Sequence, residues 1–456
     1  MSTSIDTLTG ETVDLLQALI RNQCVNDGTP ESGHEVRSAE LLRNELEGFG
    51  VDFELFETEP GRVSLVARYE GTDPDAPDLC LCAHTDVVPA NPDGWTNDPF
   101  GGELITSPDG VDEVWGRGAV DMLNLTSSML VAFREVIRTG KRYPGDIVYF
   151  AVADEEAGSV LGAKQLLADH WDVLHCDYVI SEYGGTPSFG DNGTTVLLTT
   201  SEKHSGARRI TVHGTPSHGS MSYATDNALI KASEIVRRIA AAELTPRLDD
   251  VFAARVGALG LDPEIQKQLL DPAHIADALA ALPPALASNL HSCSHMTINP
   301  NTIHSGEKLN TVPDTAVLEL DIRMLPGQTQ QDVDRLLPEI IGPDLMPSVE
   351  IEWYRDDLTN GFGVSSTESP LWDALGDAIR VAYPEATVMP SLVTGGTDCR
   401  FYRERGIPAY GAGLLSDKVP LSEFLSRFHG NDERIDVDSL RLTTQLFLDV
   451  FDRLWR

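Results

Sequence analysis

At 456 residues, with 41% apolar and 23% charged residues, the chain is long enough for two domains and can bury a sizeable core. Its 34 basic against 71 acidic side chains leave a net charge of −37. That field repels polyphosphate and so excludes nucleic acid and anionic membranes as expected partners. No stretch approaches the roughly 20 apolar residues a membrane helix needs, and the polar first ten residues lack the basic-then-apolar layout of a signal peptide. The expected location is the cytoplasm.

Helical periodicity marks residues 13–21 and 36–49. The apolar run Leu79-Cys80-Leu81-Cys82-Ala83 reads as a short strand and stops at His84-Thr85-Asp86. A helix is expected over 122–138, with Asp121 at its start behind the turn Gly116-Arg117-Gly118. A buried strand over 146–153 stops at Asp154-Glu155-Glu156. A helix over 162–168 follows, then a strand over 178–181 that stops at Glu182. Strands alternating with helices imply an α/β domain, a mainly parallel sheet with helices on both faces.

The middle of the chain changes character. Residues 208–213 and 315–324 alternate as half-buried strands. Helical patterns occupy 227–241 and 330–340, and Pro and Gly break a further helical run over 253–287. This is an α+β pattern on a sheet that can face solvent. The expected organisation is a catalytic domain of residues 1–204 and 359–456, with an inserted lid over 205–358. Helices over 371–383 and 438–455 return the chain to the first domain. The six cysteines are scattered and none forms a CxxC pair. Cys80 and Cys82 are expected in the core, with no disulfide framework.

The chemistry is carried by residues at the ends of these elements. His84, Glu155, Glu156 and Glu182 each follow a strand, and open α/β sheets bind ligands beyond the carboxyl ends of their strands. Asp121 adds a carboxylate from a Gly-rich turn, which lets the chain bend sharply. Imidazole and carboxylate suit a pair of divalent ions, two metals share a bridging carboxylate in many hydrolases, and one acid must stay off the metals to move a proton. The neighbours Glu155 and Glu156 suit that division. Asp86, two residues after His84, is placed to hold its imidazole.

The stretches Leu81-Cys82-Ala83-His84-Thr85-Asp86-Val87-Val88-Pro89, Gly116-Arg117-Gly118-Ala119-Val120-Asp121-Met122, Asp154-Glu155-Glu156-Ala157-Gly158, Ile180-Ser181-Glu182, Gly214-Thr215-Pro216-Ser217-His218-Gly219, Asp321-Ile322-Arg323, Gly395-Gly396-Thr397-Asp398 and His429-Gly430-Asn431-Asp432-Glu433 fall in one order along most of the chain. In this the sequence resembles the M20 metallopeptidases, which include aminoacylases, deacetylases, desuccinylases and carboxypeptidases. The resemblance implies that His84 and Glu182 hold one metal, that Glu156 and His429 hold the other, and that Asp121 bridges. Glu155 is then the general base and Asp86 orients His84. It further implies that His218, on the lid, stabilises the oxyanion, often in the partner subunit's site. Asn310 and Arg323 hold substrate, and Gly396 and Thr397 line its loop. Two Zn²⁺ ions are expected, with Co²⁺ or Mn²⁺ as alternatives, in a homodimer joined through the lid.

Leu123 departs from the family, in which many members carry Lys there, and the 253–287 run is longer than small-lid members require. His34, His170, His175, His204, His213, His291, His295 and His304 are read as surface or packing residues, Cys399 as a bystander, and Trp95 as packing the metal loop. A lid His218 or Arg323 could equally sit in a surface ion pair, and Asn310 could cap a turn. Within the family, members with Glu at the position of Glu182 are often deacylases, so the expected reaction is amide hydrolysis of small N-acyl amino acids. A dipeptidase or carboxypeptidase is the close alternative, and a catalytically inactive binding protein of the same fold the remote one.

Overall fold

The computed structural model describes residues 3–190, 193–354, 363–419 and 421–456. Every residue of the strand Leu79–His84 is buried. Side chains alternate across a strand, so Leu79, Leu81 and Ala83 enter one core while Cys80 and Cys82 enter the other. Ile147–Val152 lies parallel beside it and divides in the same way, Ile147, Tyr149 and Ala151 against Val148, Phe150 and Val152. Burial on both faces follows when helices cover a parallel sheet from both sides. One face carries the helices Ile5–Arg21, Leu123–Thr139, Pro370–Ala382 and Val437–Leu454. The other carries the shorter helices Gln165–Asp169, Trp171–Leu174 and Cys399–Arg403. All six cysteines are buried and unpaired.

Across the large sheet the strands run Asp52–Glu59, Arg62–Tyr69, Ile147–Val152, Leu79–His84, Tyr178–Ser181, Ala409–Gly411, Gly193–Glu202 and Thr387–Val393. The expected α/β architecture is present, and the sheet is parallel at its centre, from Ile147–Val152 to Ala409–Gly411. It is mixed as a whole. The hairpin Asp52–Glu59 with Arg62–Tyr69 joins one flank antiparallel, and Gly193–Glu202 meets Ala409–Gly411 antiparallel at the other. The parallel centre matters because it brings the ends of three strands to one edge.

The chain passes to a second, antiparallel sheet between Glu202 and His204. Its strands are His204–Ser205, Arg208–His213, Thr297–Ser305, Thr315–Met324 and Val349–Trp353. Thr315–Met324 alternates strictly: Ala316, Leu318, Leu320, Ile322 and Met324 are buried under the helices Ala228–Ala240 and Gln330–Ile341. Glu319, Asp321 and Arg323 occupy the open face of that strand. The expected far boundary of the lid, at 358/359, lies outside the described residues.

The Pro- and Gly-broken run folds as four short helices, Asp250–Ala258, Pro263–Leu269, Ile275–Ala280 and Pro284–Ser294. Phe252, Val256, Leu269 and Leu290 form their own core, which takes in Leu392 of the large sheet's edge strand. Arg255 Nη1 donates to Ser391 Oγ at 3.0 Å. The extra length of the insertion therefore ties the lid to the sheet edge. Among the described residues, no helix is long and apolar enough to cross a membrane.

Candidate metal centre

His84 ends its strand, Glu155 and Glu156 occupy the turn after Ile147–Val152, and Glu182 follows Tyr178–Ser181. Parallel pairing sets these ends side by side. Asp121 arrives from the turn before Leu123–Thr139. That turn needs Gly118, which has φ +89° and where a Cβ would stand 2.6 Å from Leu123 Cδ1 and 2.7 Å from Val87 Cγ1. His429 comes from the segment after the helix Leu421–Arg427. Asp154, Tyr183 and His429 are non-glycine residues at positive φ. Backbone held in so sparsely populated a region is common where a site dictates side-chain direction.

The two oxygens of Asp121 face opposite ways. Oδ1 lies 3.3 Å from His84 Nε2, which is itself 3.7 Å from Glu182 Oε2. Oδ2 lies 3.1 Å from His429 Nε2, which is 3.5 Å from Glu156 Oε2. One carboxylate thus straddles two His-carboxylate pairs. His84, Asp121 and Glu156 each offer an atom within 4.8 Å of the others, and so do His84, Glu155 and Glu182.

Burial and mutual charge set the electrostatics of the cluster. Burial and the charge of Glu182 push Glu155 well above the usual carboxylate range, and burial with the charge of Asp121 does the same to Glu182. Asp121 is pulled the other way: hydrogen bonds from His429 and His84 outweigh its burial. Contacts with Asp121 and Glu156 push the His429 imidazole up to about 10. Glu156 Oε1 is buried with no hydrogen-bond partner. Converging buried carboxylates repel one another unless cations lie between them. The donor set of imidazole nitrogen and carboxylate oxygen suits divalent ions.

Asp86 is wholly buried beneath this cluster. The Nδ1 of His84 lies 2.9 Å from the backbone oxygen of Asp86 and 3.6 Å from its carboxylate Oδ1. The carboxylate itself accepts from the backbone N–H groups of Glu155 at 3.2 Å and Glu156 at 3.1 Å, and from Asn26 Nδ2 at 2.8 Å. Asp86 therefore holds the strand-end imidazole by its backbone and the acidic turn by its side chain.

Three further contacts escaped sequence reasoning. Glu433 Oε1 accepts from the backbone N–H groups of Val120 at 2.7 Å and Asp121 at 3.1 Å, while its Oε2 pairs with Arg117 Nη1 at 2.6 Å. Arg117 Nη2 also donates to the backbone oxygen of His429 at 3.3 Å. Both residues lie in motifs of the sequence, but only their meeting in space gives them a task. Tyr183 donates its hydroxyl to Asp121 Oδ2 at 2.8 Å and stacks on Phe428. Its sole sequence signal is adjacency to Glu182. The Arg117 guanidinium also lies over Trp95, 5.3 Å from the ring centroid.

A cleft of about 450 Å³ opens over the cluster and extends to Arg323 of the lid sheet, with Gly396, Arg400 and Lys203 in its walls. Thr397 is buried behind it, and its N–H is bonded to Glu202. His218 and Asn310 line no part of this cleft. They lie together on the lid, where Gly219 N donates to Asn310 O and the His218 ring is exposed, 2.7 Å from Ser220 Oγ.

The model of peptidase family M20/M25/M40 matches residues 80–453. Aminoacylase-1 of Mus musculus is 24% identical over 416 residues, covering 91% of this chain and 88% of that protein. Succinyl-diaminopimelate desuccinylase of Hydrogenovibrio crunogenus is 23% identical over 446 residues, covering 96% and 97%. Among solved structures, the M20 family metallo-carboxypeptidase Sso-CP2 from Sulfolobus solfataricus shares the fold with a TM-score of 0.69 at 18% identity, covering 97% of this chain and 99% of that one. A match over so much of the chain, with a buried His and carboxylate cluster at the strand ends, makes this protein a metal-dependent amidohydrolase belonging to peptidase family M20/M25/M40.

Proposed function

We propose that the protein hydrolyses the amide bond of small N-acyl amino acids with two divalent ions held by His84, Glu182, Glu156, His429 and the bridging Asp121. The observation that carries this reading is the straddling of two His-carboxylate pairs by the two oxygens of Asp121. Divalent ions bound there would polarise the scissile carbonyl and lower the pKa of water toward about 7. Glu155, beside Glu182 and His84, takes the proton from the attacking water and delivers it to the leaving nitrogen. Its burial raises its affinity for the proton, which suits a carboxylate that must take a proton from water. Asp86 fixes the turn that aims Glu155. Zn²⁺ suits the donor set, with Co²⁺ or Mn²⁺ as alternatives.

The aminoacylase and desuccinylase relatives, together with Glu182, favour acylated substrates over dipeptides. The dipeptidase or carboxypeptidase reading is the second one, favoured by the metallo-carboxypeptidase that shares the fold. Arg323 takes the substrate carboxylate in this reading, with Gly396 and Thr397 in the loop beside it. His218 and Asn310 serve the cleft of a second copy, since neither lines the cleft of its own chain. The exposed Met221, Tyr223, Ile230 and Leu309 on that part of the lid support a homodimer. A monomer in sedimentation equilibrium at working concentration would remove this arrangement. The lid over 205–358 then acts both as cover and as interface.

The test of the function is turnover by zinc-reconstituted protein on N-acetyl amino acids, N-succinyl amino acids and unblocked dipeptides, beside a chelated control. Metal-dependent turnover concentrated on acylated substrates is expected. Turnover concentrated on dipeptides would transfer the assignment to the second reading.

A further inference from the structure

The loop that follows the edge strand Thr387–Val393 supplies Gly395 and Gly396 to the wall of the cleft. Gly193–Glu202 lies parallel beside that strand, and Val393 pairs with Glu202 at their common end. From there one segment runs into the loop and the other, through Lys203, into the lid. Lys203 N donates to Val393 O at 3.0 Å, so the two exits stay together. Glu202 is the acid at this fork. It is only 3% exposed, and it stands outside both groups of metal-ligating side chains found among the described residues.

Each carboxylate oxygen of Glu202 holds a different part of the chain. Oε1 accepts from Arg403 Nη1 at 2.6 Å, and Oε2 accepts from the backbone N–H of Thr397. Arg403 is itself fixed, with Nε donating to Ser365 Oγ at 3.1 Å and Nη2 to Ala409 O at 2.7 Å. The N–H of Thr397 belongs to the peptide unit that begins at Gly396. Gly396 has no side chain to pin it, so the direction of that unit is set by the bond to Glu202. In a trans peptide N–H and C=O point opposite ways, and an N–H turned to the buried carboxylate turns Gly396 O away from it.

We propose that Glu202 is a positioning residue of the substrate cleft: its carboxylate fixes the Gly396–Thr397 peptide unit in the wall and so governs how tightly substrate is held, while touching neither substrate nor metal. This rests on the amide-hydrolase reading, which makes the cleft the place where substrate binds. A carboxylate is needed because both of its partners are donors. An amide in its place offers one acceptor for the two. The charged guanidinium takes that oxygen, and the amide NH2 then faces the N–H of Thr397, donor against donor. The peptide unit has to turn or move.

The test sets Glu202→Gln against the double variant Glu202→Gln with Arg403→Met. In the single variant KM is expected to rise about tenfold, the worth of a hydrogen bond to a charged group. Its kcat should stay within about threefold, as when only binding is lost, and its metal content should not change. In the double variant the guanidinium is gone, the amide turns its oxygen to Thr397, and KM should return to near the wild-type value. Stability should not return with it, because Ser365 Oγ and Ala409 O lose Arg403 as well. A merely structural role ties KM to stability. An unchanged KM in the folded single variant therefore overturns the proposal, and so does a KM that stays high in the double variant. If Glu202→Gln is too unstable to assay, Glu202→Asp takes its place with the same expected KM, since it keeps the charge for Arg403 and is one methylene too short to reach Thr397 as well. KM is read on whichever substrates turn over, acylated or dipeptide, so refutation of the deacylase reading leaves the test intact. Hydrogen exchange of the peptide containing Thr397 needs no substrate: it should be faster in the single variant and slow again in the double. Equal exchange in all three proteins overturns the proposal even if no amide is cleaved.

Discussion

Glu155 and Glu156 are adjacent in sequence, and Asp86 accepts from the backbone N–H of each. Glu156 Oε2 lies 3.5 Å from His429 Nε2, whereas Glu155 groups with His84 and Glu182. Glu155→Gln keeps the shape of the side chain and removes its basicity. It is expected to lower kcat by 10²-fold or more, on the order of what general-base catalysis supplies, with two metals still bound by atomic absorption. Loss of a metal equivalent in that variant would make Glu155 a ligand. Glu433→Gln strips the charge that pairs with Arg117 and braces the Asp121 backbone. Metal affinity is expected to fall roughly 10–100-fold, the usual cost of removing a partner that orients a ligand, and stability by about 3 kcal/mol because Arg117 is left buried and unpaired. Chelator competition and urea unfolding read the two effects separately. The candidate ligands were legible in the sequence because His84, Glu156 and Glu182 follow apolar strand runs and Asp121 and His429 sit in short motifs. Glu433 lies in such a motif, yet its partners Val120 and Asp121 are more than 300 positions away, so no local pattern announces the contact.

Elements with strong periodicity were also legible. The expected helix over 438–455 is Val437–Leu454, and its start rests on one cap. Asp436 Oδ1 accepts from Ser439 N at 2.9 Å and Ser416 Oγ at 2.7 Å, while Oδ2 accepts from Ser439 Oγ at 2.6 Å. Asp436→Ala is expected to cost about 1–2 kcal/mol, as loss of a helix N-cap does, without changing metal content. A urea midpoint that does not move would show that the cap is dispensable. Strands without an apolar run were not legible. Asp52–Glu59 is half exposed at the sheet edge and carries four carboxylates. Arg62–Tyr69 begins with a buried arginine that pairs with Glu35 at 2.7 Å and donates to Asn26, Thr29 and Ser32. Thr297–Ser305 contains a proline at a register shift. In each case pairing with a neighbouring strand decides the conformation, and composition alone does not.

At the scale of the whole molecule, Lys203 joins the two sheets. It follows the strand Gly193–Glu202 and reaches into the lid, where its Nζ donates to Ser292 O, His295 O and Thr297 Oγ1. Burial lowers its pKa to about 8 from an ordinary value of 10.5. Below pH 8 both folded and unfolded chains hold the proton, and the charged group carries its full burial cost. Between pH 8 and 10.5 the unfolded chain binds more protons than the folded one, so the stability contributed by this group rises with pH. The gain is on the order of 1.4 kcal/mol per pH unit across that window. Lys203→Met should remove this slope. Urea unfolding of both proteins from pH 7 to 10 checks it, and parallel curves would show that Lys203 keeps its ordinary pKa.

By itself the sequence determined the α/β class and the α+β character of the inserted stretch, and it marked His84, Asp121, Glu155, Glu156, Glu182 and His429 as candidates for one site, because hydrophobic periodicity and strand-end motifs are local properties. The tertiary structure decided what depends on distant parts of the chain meeting. Parallel pairing of Leu79–His84 with its neighbours lets Asp121 divide its oxygens between two histidines. The buried Arg117–Glu433 pair secures that carboxylate. Such contacts join residues far apart in sequence, and burial gives them their strength, since a charge removed from water must find its partner within the fold.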